Sequence, residues 1–160
     1  MNDRARQLIS ELGLESHPEG GYFREIFRSA RQVQPMDQRS ARAALTTIYF
    51  LLSKGQHSRW HRVASDEVWH FYEGDPLELY WIGQDNQVHE EILASRTSEG
   101  RPVRVVPAGC WQAARPRGEF TLVGCTVGPG FDFQDFEMIS AGSPELVKIT
   151  SLRSAFNELA

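Results

Sequence analysis

Apolar positions along this chain change their period after the first dozen residues. Over residues 3–13, Leu8, Ile9 and Leu12 share one helical face and Gly13 supplies a stop, so the spacing predicts a short amphipathic helix. His17-Pro18-Glu19-Gly20-Gly21 is turn-rich and cannot continue it. Tyr22 to Phe27 resumes as a strand, and residues 30–42 are polar and loop-like. From Ala44 the pattern is all strand. Leu45 to Leu52 is β-branched and aromatic, and further strands are expected at 67–73, 77–83, 87–93, 103–107, 111–115, 119–127 and 131–138. Turn signals separate them, among them Glu73 to Pro76, Gly83 to Asn86, Ser98 to Pro102, Pro107 to Gly109, Pro116 to Gly118 and Gly128 to Gly130. Many short strands with turns at this spacing predict an all-β sandwich or barrel. Ser143 is a fair N-cap and Pro144 a fair first helical residue, so 145–158 reads as a terminal helix.

At 160 residues with 41% hydrophobic content, the chain suits one domain, 1–160, with a core of its own. Seventeen basic and 21 acidic residues give a net charge of −4, which argues against a nucleic-acid partner. Short Arg clusters at 24–31 and 96–104 have acidic neighbours and read as solvated surface. Cys110 and Cys125 form no CxxC pair and read as small strand hydrophobes, which favours a reducing, cytoplasmic setting. Met1 to Gly13 is charged throughout and does not resemble a signal peptide. No apolar run has the length of a membrane helix, so no membrane partner is expected.

Candidate chemistry concentrates between Gly55 and Gly74, where His57, His61, Asp66, Glu67 and His70 occur together. Imidazoles and carboxylates are metal ligands or acid–base groups. Strand alternation puts Glu67, Trp69 and Phe71 on one face and Val68, His70 and Tyr72 on the other. A turn over Val63 to Asp66 would allow His61 and Glu67 to converge, although spacing alone does not require it. Farther on, Pro107-Ala108-Gly109 ends one strand, and the next opens with Trp111 and Gln112, a turn able to aim the amide inward. Phe131, Phe133 and Phe136 read as core, with Asp132 and Asp135 exposed or in turns.

The order Gly55, His61, Glu67, Gly74, then Pro107, Gly109 and Gln112, resembles the two motifs of the cupin superfamily. His17 to Phe23, His61 to Asp75, Val106 to Ala114 and Val127 to Met138 more narrowly resemble the cupin subfamily long catalogued as a domain of unknown function. The resemblance spans roughly residues 7–140. It implies a cupin jelly roll, or double-stranded β-helix, with short N- and C-terminal helices, and a homodimer. Such a dimer could pair an N-terminal strand with the partner's sheet edge.

The family pattern carries two His and a Glu in its first motif and one His in its second. Here Arg59 stands where the first His would be and Gln112 replaces the second-motif His, so His61 and Glu67 are what remains. Arg cannot ligate a cation and Gln is a weak donor, which disfavours a firmly held transition metal. A divalent metal, if bound, would use His61, Glu67 and Gln112, with His57 as a substitute donor. The expectation is a small-molecule-binding pocket whose activity the sequence leaves open, one reading being metal-independent, isomerase- or epimerase-like chemistry on a polar sugar-like or nucleotide-like substrate. His61 would be the base, Glu67 would orient it or act as the acid, and Tyr22 would supply a phenol. Arg59, Gln112, Trp69, Trp111, Tyr49, Glu19 and His57 are the expected ligand-binding residues. The alternatives are a non-catalytic ligand-sensing module and a metal-dependent cupin oxygenase or isomerase.

Overall fold

The computed structural model describes residues 1–96 and 99–160. Its elements run α1 (Asp3–Leu12), β1 (Glu15–Ser16), β2 (Tyr22–Arg28), β3 (Gln32–Val33), β4 (Arg42–Ala43), β5 (Thr46–Ser53), β6 (Ser58–Val63), β7 (Asp66–Gly74), β8 (Leu77–Ile82), β9 (Val88–Leu93), β10 (Val103–Val106), β11 (Trp111–Pro116), β12 (Phe120–Gly128), β13 (Phe136–Met138) and α2 (Pro144–Leu152). Two antiparallel sheets form a jelly roll, ordered β1-β2-β5-β12-β7-β10 and β13-β6-β11-β8-β9. β3 and β4 pair in the 30–42 stretch expected to be loop. The turn expected at Ser98 to Pro102 begins outside the described residues.

Three apolar clusters explain the long apolar strands. Between the sheets lie Phe50, Leu52, Trp69, Leu79, Val123 and Cys125. α1 covers the outside of the first sheet, where Ala5, Leu8 and Leu14 meet Leu51, Phe120 and Leu122. The C-terminal segment covers the second, where Ile149, Phe156 and Leu159 meet Trp60, Tyr80 and Ala113. Strands covered on both faces lose their polar alternation, so β5 and β12 read as continuous apolar runs. α1 is capped at both ends: the Asn2 side chain accepts from the N–H groups of Arg4 and Ala5, and Gly13 takes a left-handed φ of 61°.

Two expected elements differ. The helix expected over 145–158 stops at Leu152, with extended Arg153 breaking it before a 3-10 segment, Ser154–Leu159. The strand expected at 131–138 shrinks to β13, because a 3-10 turn at Phe133–Asp135 precedes it. Among the described residues no helix is long and apolar enough to cross a membrane.

β-Bulges set which side chains face inward. Gln112 pairs with His61 and Ala114 with Ser58, so two residues of β6, Arg59 and Trp60, oppose Ala113. In the same way Glu25 pairs with Ile48 and Phe27 with Thr47, leaving Ile26 as the extra residue of β2. Each bulge turns an i,i+3 pair to one side, Ser58 with His61 and Glu25 with Arg28.

Candidate functional site

Between the sheets lies a cavity of about 250 Å³, lined by His17, Glu19, His61, Glu67 and Cys125 and walled chiefly by Phe and aliphatic side chains. Four elements bring the polar groups together. β6 belongs to one sheet and β7 to the other, and the short link at Ala64 and Ser65 carries the chain across. His61 and Glu67 thereby come from opposite sheets to line the same cavity. β12 contributes Cys125, and the turn before β2 contributes His17 and Glu19.

That turn is fixed by glycine. The Gly20 N–H donates to the His17 carbonyl, the His17 N–H to the Gly21 carbonyl, and the Arg59 N–H to the Glu19 carbonyl. Gly20 has φ of +115°, and a Cβ there would lie 2.2 Å from the His57 carbonyl oxygen. Only a residue without a side chain fits, and the resulting path buries Glu19 to 6% exposure.

Each polar group has a defined role in the hydrogen-bond network. His61 Nδ1 lies 2.7 Å from the Arg59 carbonyl oxygen. A carbonyl only accepts, so Nδ1 carries the proton and Nε2 is the basic nitrogen. Nε2 lies 3.3 Å from Glu19 Oε2, and the Ser58 hydroxyl donates to Glu19 Oε1 at 2.9 Å. Burial pushes the Glu19 carboxyl up to about 8 and pulls His61 down, so the neutral acid–imidazole form prevails near pH 7. His17 Nδ1 accepts from the Glu19 N–H at 3.2 Å, which places its ring proton on Nε2. Burial lowers His17 to about 4, and it stays neutral.

Glu67 is held from the other side. Trp69 Nε1 can only donate, and it donates to Gln112 Oε1 at 3.1 Å. The Gln112 Nε2 therefore faces Glu67 Oε2, at 2.6 Å. Burial raises the Glu67 carboxyl, and the nearby Glu19 raises it further. The Cys125 thiol also bonds to Glu67, and burial keeps it protonated.

At the mouth, Arg28 pairs with Glu25 at 2.7 Å and its Nη1 donates to the Phe131 carbonyl at 3.0 Å. Phe131, Phe133 and Phe136 pack edge to face beside it. The sequence pattern marks neither the Arg28–Glu25 pair nor the Phe cluster as part of a site. A bulge hides the ion pair from any period-2 count, and closely spaced Phe residues read as ordinary core.

Of the residues expected from sequence, His61, Glu67 and Glu19 line the cavity. Gln112 and Trp69 stand behind Glu67 and hold it. The others lie elsewhere, and the correction is geometric. Tyr22 and Tyr49 alternate with the cavity-lining Phe23 and Ile48, so they pack outward beneath α1. Trp111 lies on the opposite face from Gln112, under the Arg62 guanidinium. Arg59 sits in the β6 bulge and reaches outward to the Pro18 carbonyl and Met138. His57 precedes β6 and packs under the Gly20 turn.

A metal fits this arrangement poorly. The Gln112 oxygen is committed to Trp69, Arg59 faces outward, and His61 Nδ1 is held by a carbonyl. Among the described residues no group of three or more His, Cys, Asp or Glu side chains is placed to hold one ion.

Comparison with known proteins places this architecture. Residues 6–139 match the family described as Cupin superfamily (DUF985). Uncharacterized protein YML079W of Saccharomyces cerevisiae is 28% identical over 156 residues, covering 88% of this chain and 77% of its own. Protein SO0799 of Shewanella oneidensis superposes with a TM-score of 0.83 at 32% identity, covering 100% of this chain and 98% of the other. A hypothetical protein from Leishmania major gives 0.83 at 31%, covering 97% and 96%. Oxalate decarboxylase of Bacillus subtilis superposes at 0.59 with 13% identity, covering 91% of this chain and 36% of its own, a likeness of fold alone.

Proposed function

This chain belongs to the cupin superfamily, in the DUF985 family, and we propose that on this scaffold it is a metal-independent proton-transfer enzyme, isomerase- or epimerase-like, acting on a small sugar-like or nucleotide-like molecule. One observation carries the proposal. A neutral imidazole with its Nδ1 pinned by a carbonyl, and a carboxyl pinned by a directed amide, line the same buried cavity from opposite sheets. That is the arrangement an epimerising site needs, because one group removes a proton and the other returns one to the opposite face. His61 Nε2 takes the C–H proton next to a substrate carbonyl. The Glu67 carboxyl, raised by burial, delivers the second proton from its acid form, so the bond lost on one face is remade on the other. Glu19, beside the same imidazole nitrogen and with a pKa of about 8, gains and loses a proton near neutral pH and exchanges it with His61. The Phe walls offer a flat apolar surface to a sugar ring or base.

The test does not require the substrate to be identified. A cell extract of small metabolites is incubated with the protein in D2O and surveyed by mass spectrometry for carbon-bound deuterium. Wild type labels at least one compound, and His61→Asn and Glu67→Gln lose that label. A ligand that co-purifies and stabilises the fold but never gains deuterium would sink the proposal and leave a binding module in its place.

A further inference from the structure

The cavity is acidic and offers no free cation to pair with its acids when they ionise. Four carboxyl side chains line it, Glu19, Glu25, Glu67 and Asp132, against one guanidinium, Arg28, among the described residues. That guanidinium is already used. Its Nε and Nη2 donate to Glu25 at 3.0 and 2.7 Å, and its Nη1 to the Phe131 carbonyl. The two deep carboxyls are bonded by uncharged donors, Glu19 by the Ser58 hydroxyl and Glu67 by the Gln112 amide and the Cys125 thiol. Arg59, whose charge acts on Glu19 from outside, is bonded to the Pro18 carbonyl. Burial holds His17 and His61 neutral beside them.

Two further features point to a ligand. Phe23, Phe131, Phe133 and Phe136 wall the cavity, and ring faces attract cations. The His17 side chain is 7% exposed, and its Nε2–H has no hydrogen-bond acceptor among the described residues although the ring lines the cavity.

We propose that the ligand carries a protonated amine, seated between Glu19 and Glu67 against the Phe walls, and an oxygen that accepts from His17 Nε2. Amino sugars and amino alcohols combine these groups. The inference rests on the cavity being the ligand site and names the class of molecule it takes. It does not need the proton-transfer step. An ammonium beside Glu19 stabilises its ionised form, so binding expels the proton that Glu19 holds and tightens as pH rises toward 8.

The test is a charge series on one skeleton, by calorimetry with the full chain: 2-amino-1-phenylethanol, 1-phenylethane-1,2-diol and mandelate. The amine is expected to bind roughly tenfold or more tightly than the diol, and mandelate weakest. Raising the pH from about 6 to about 8 should tighten the amine severalfold, with proton release seen in buffers of different ionisation heat. In Glu67→Gln the preference for the amine should fall. Mandelate binding as well as the amine, no binding by the amine, or an amine affinity that weakens with pH would overturn the proposal. The wild-type series decides this even if the variant does not fold. Deuterium exchange without amine preference defeats this inference alone, whereas amine preference without exchange defeats only the proton-transfer proposal.

Discussion

Glu19 couples the stability of the fold to pH, and Glu19→Gln should remove that coupling. Burial raises its carboxyl from 4.5 to about 8. Between those values the folded chain holds a proton that the unfolded chain has lost. Stability from this group therefore falls as pH rises, by about 1.4 kcal/mol per pH unit for one full proton. His17 works in the opposite sense. Its pKa drops from 6.5 to about 4, so between these values the unfolded chain holds the extra proton and stability rises with pH. The lowered His61 adds in the direction of His17, and the raised Glu67 in the direction of Glu19. From 4.5 to 6.5 the slopes of Glu19 and His17 cancel. Above 6.5 the His17 contribution is complete, and Glu19 continues to lose stability over about 1.5 units, roughly 2 kcal/mol. Urea unfolding of wild type and Glu19→Gln across this range should show the variant gaining about 2 kcal/mol relative to wild type between pH 6.5 and 8. Parallel curves would refute the assignment of a raised, buried acid at this position.

Two further substitutions test how the site is held. Gln112→Leu keeps the volume but orphans the Trp69 N–H and one Glu67 oxygen, so unfolding free energy should fall by at least about 2 kcal/mol; an unchanged denaturation midpoint would mean the amide relay is not what holds Glu67. Gly20→Ala forces a Cβ against the His57 carbonyl at a left-handed φ and should cost on the order of 1–3 kcal/mol. It should also flatten the pH dependence assigned to Glu19, and a variant with wild-type stability and pH profile would contradict the proposed role of this turn.

Alternation explains why part of the site is legible in the sequence. Glu67 and Trp69 share a face because they are two apart on a regular stretch of β7. Glu19 can be suspected because His-Pro-Glu-Gly-Gly forces a turn whose polar residues need a purpose. The same rule misleads at Arg59. A count of two from His61 puts it on the cavity face, but the bulge in β6 inserts a residue and gives that face to Ser58. Tyr22 and Tyr49 are attractive as phenols, yet whether their faces point to the cavity or to α1 depends on register with neighbouring strands.

By itself, then, the sequence determined the local quantities: short strands broken by Gly and Pro, two terminal helices, and a stretch dense in His and Glu. These follow from backbone preference and side-chain period, which act over a few residues. Tertiary structure alone decided that β6 and β7 lie in opposite sheets, that two bulges re-aim side chains, and that Glu19 reaches His61 across 42 positions of chain. Those depend on hydrogen-bond register between distant strands and on burial that moves the pKa values. Neither is encoded in any short window of residues.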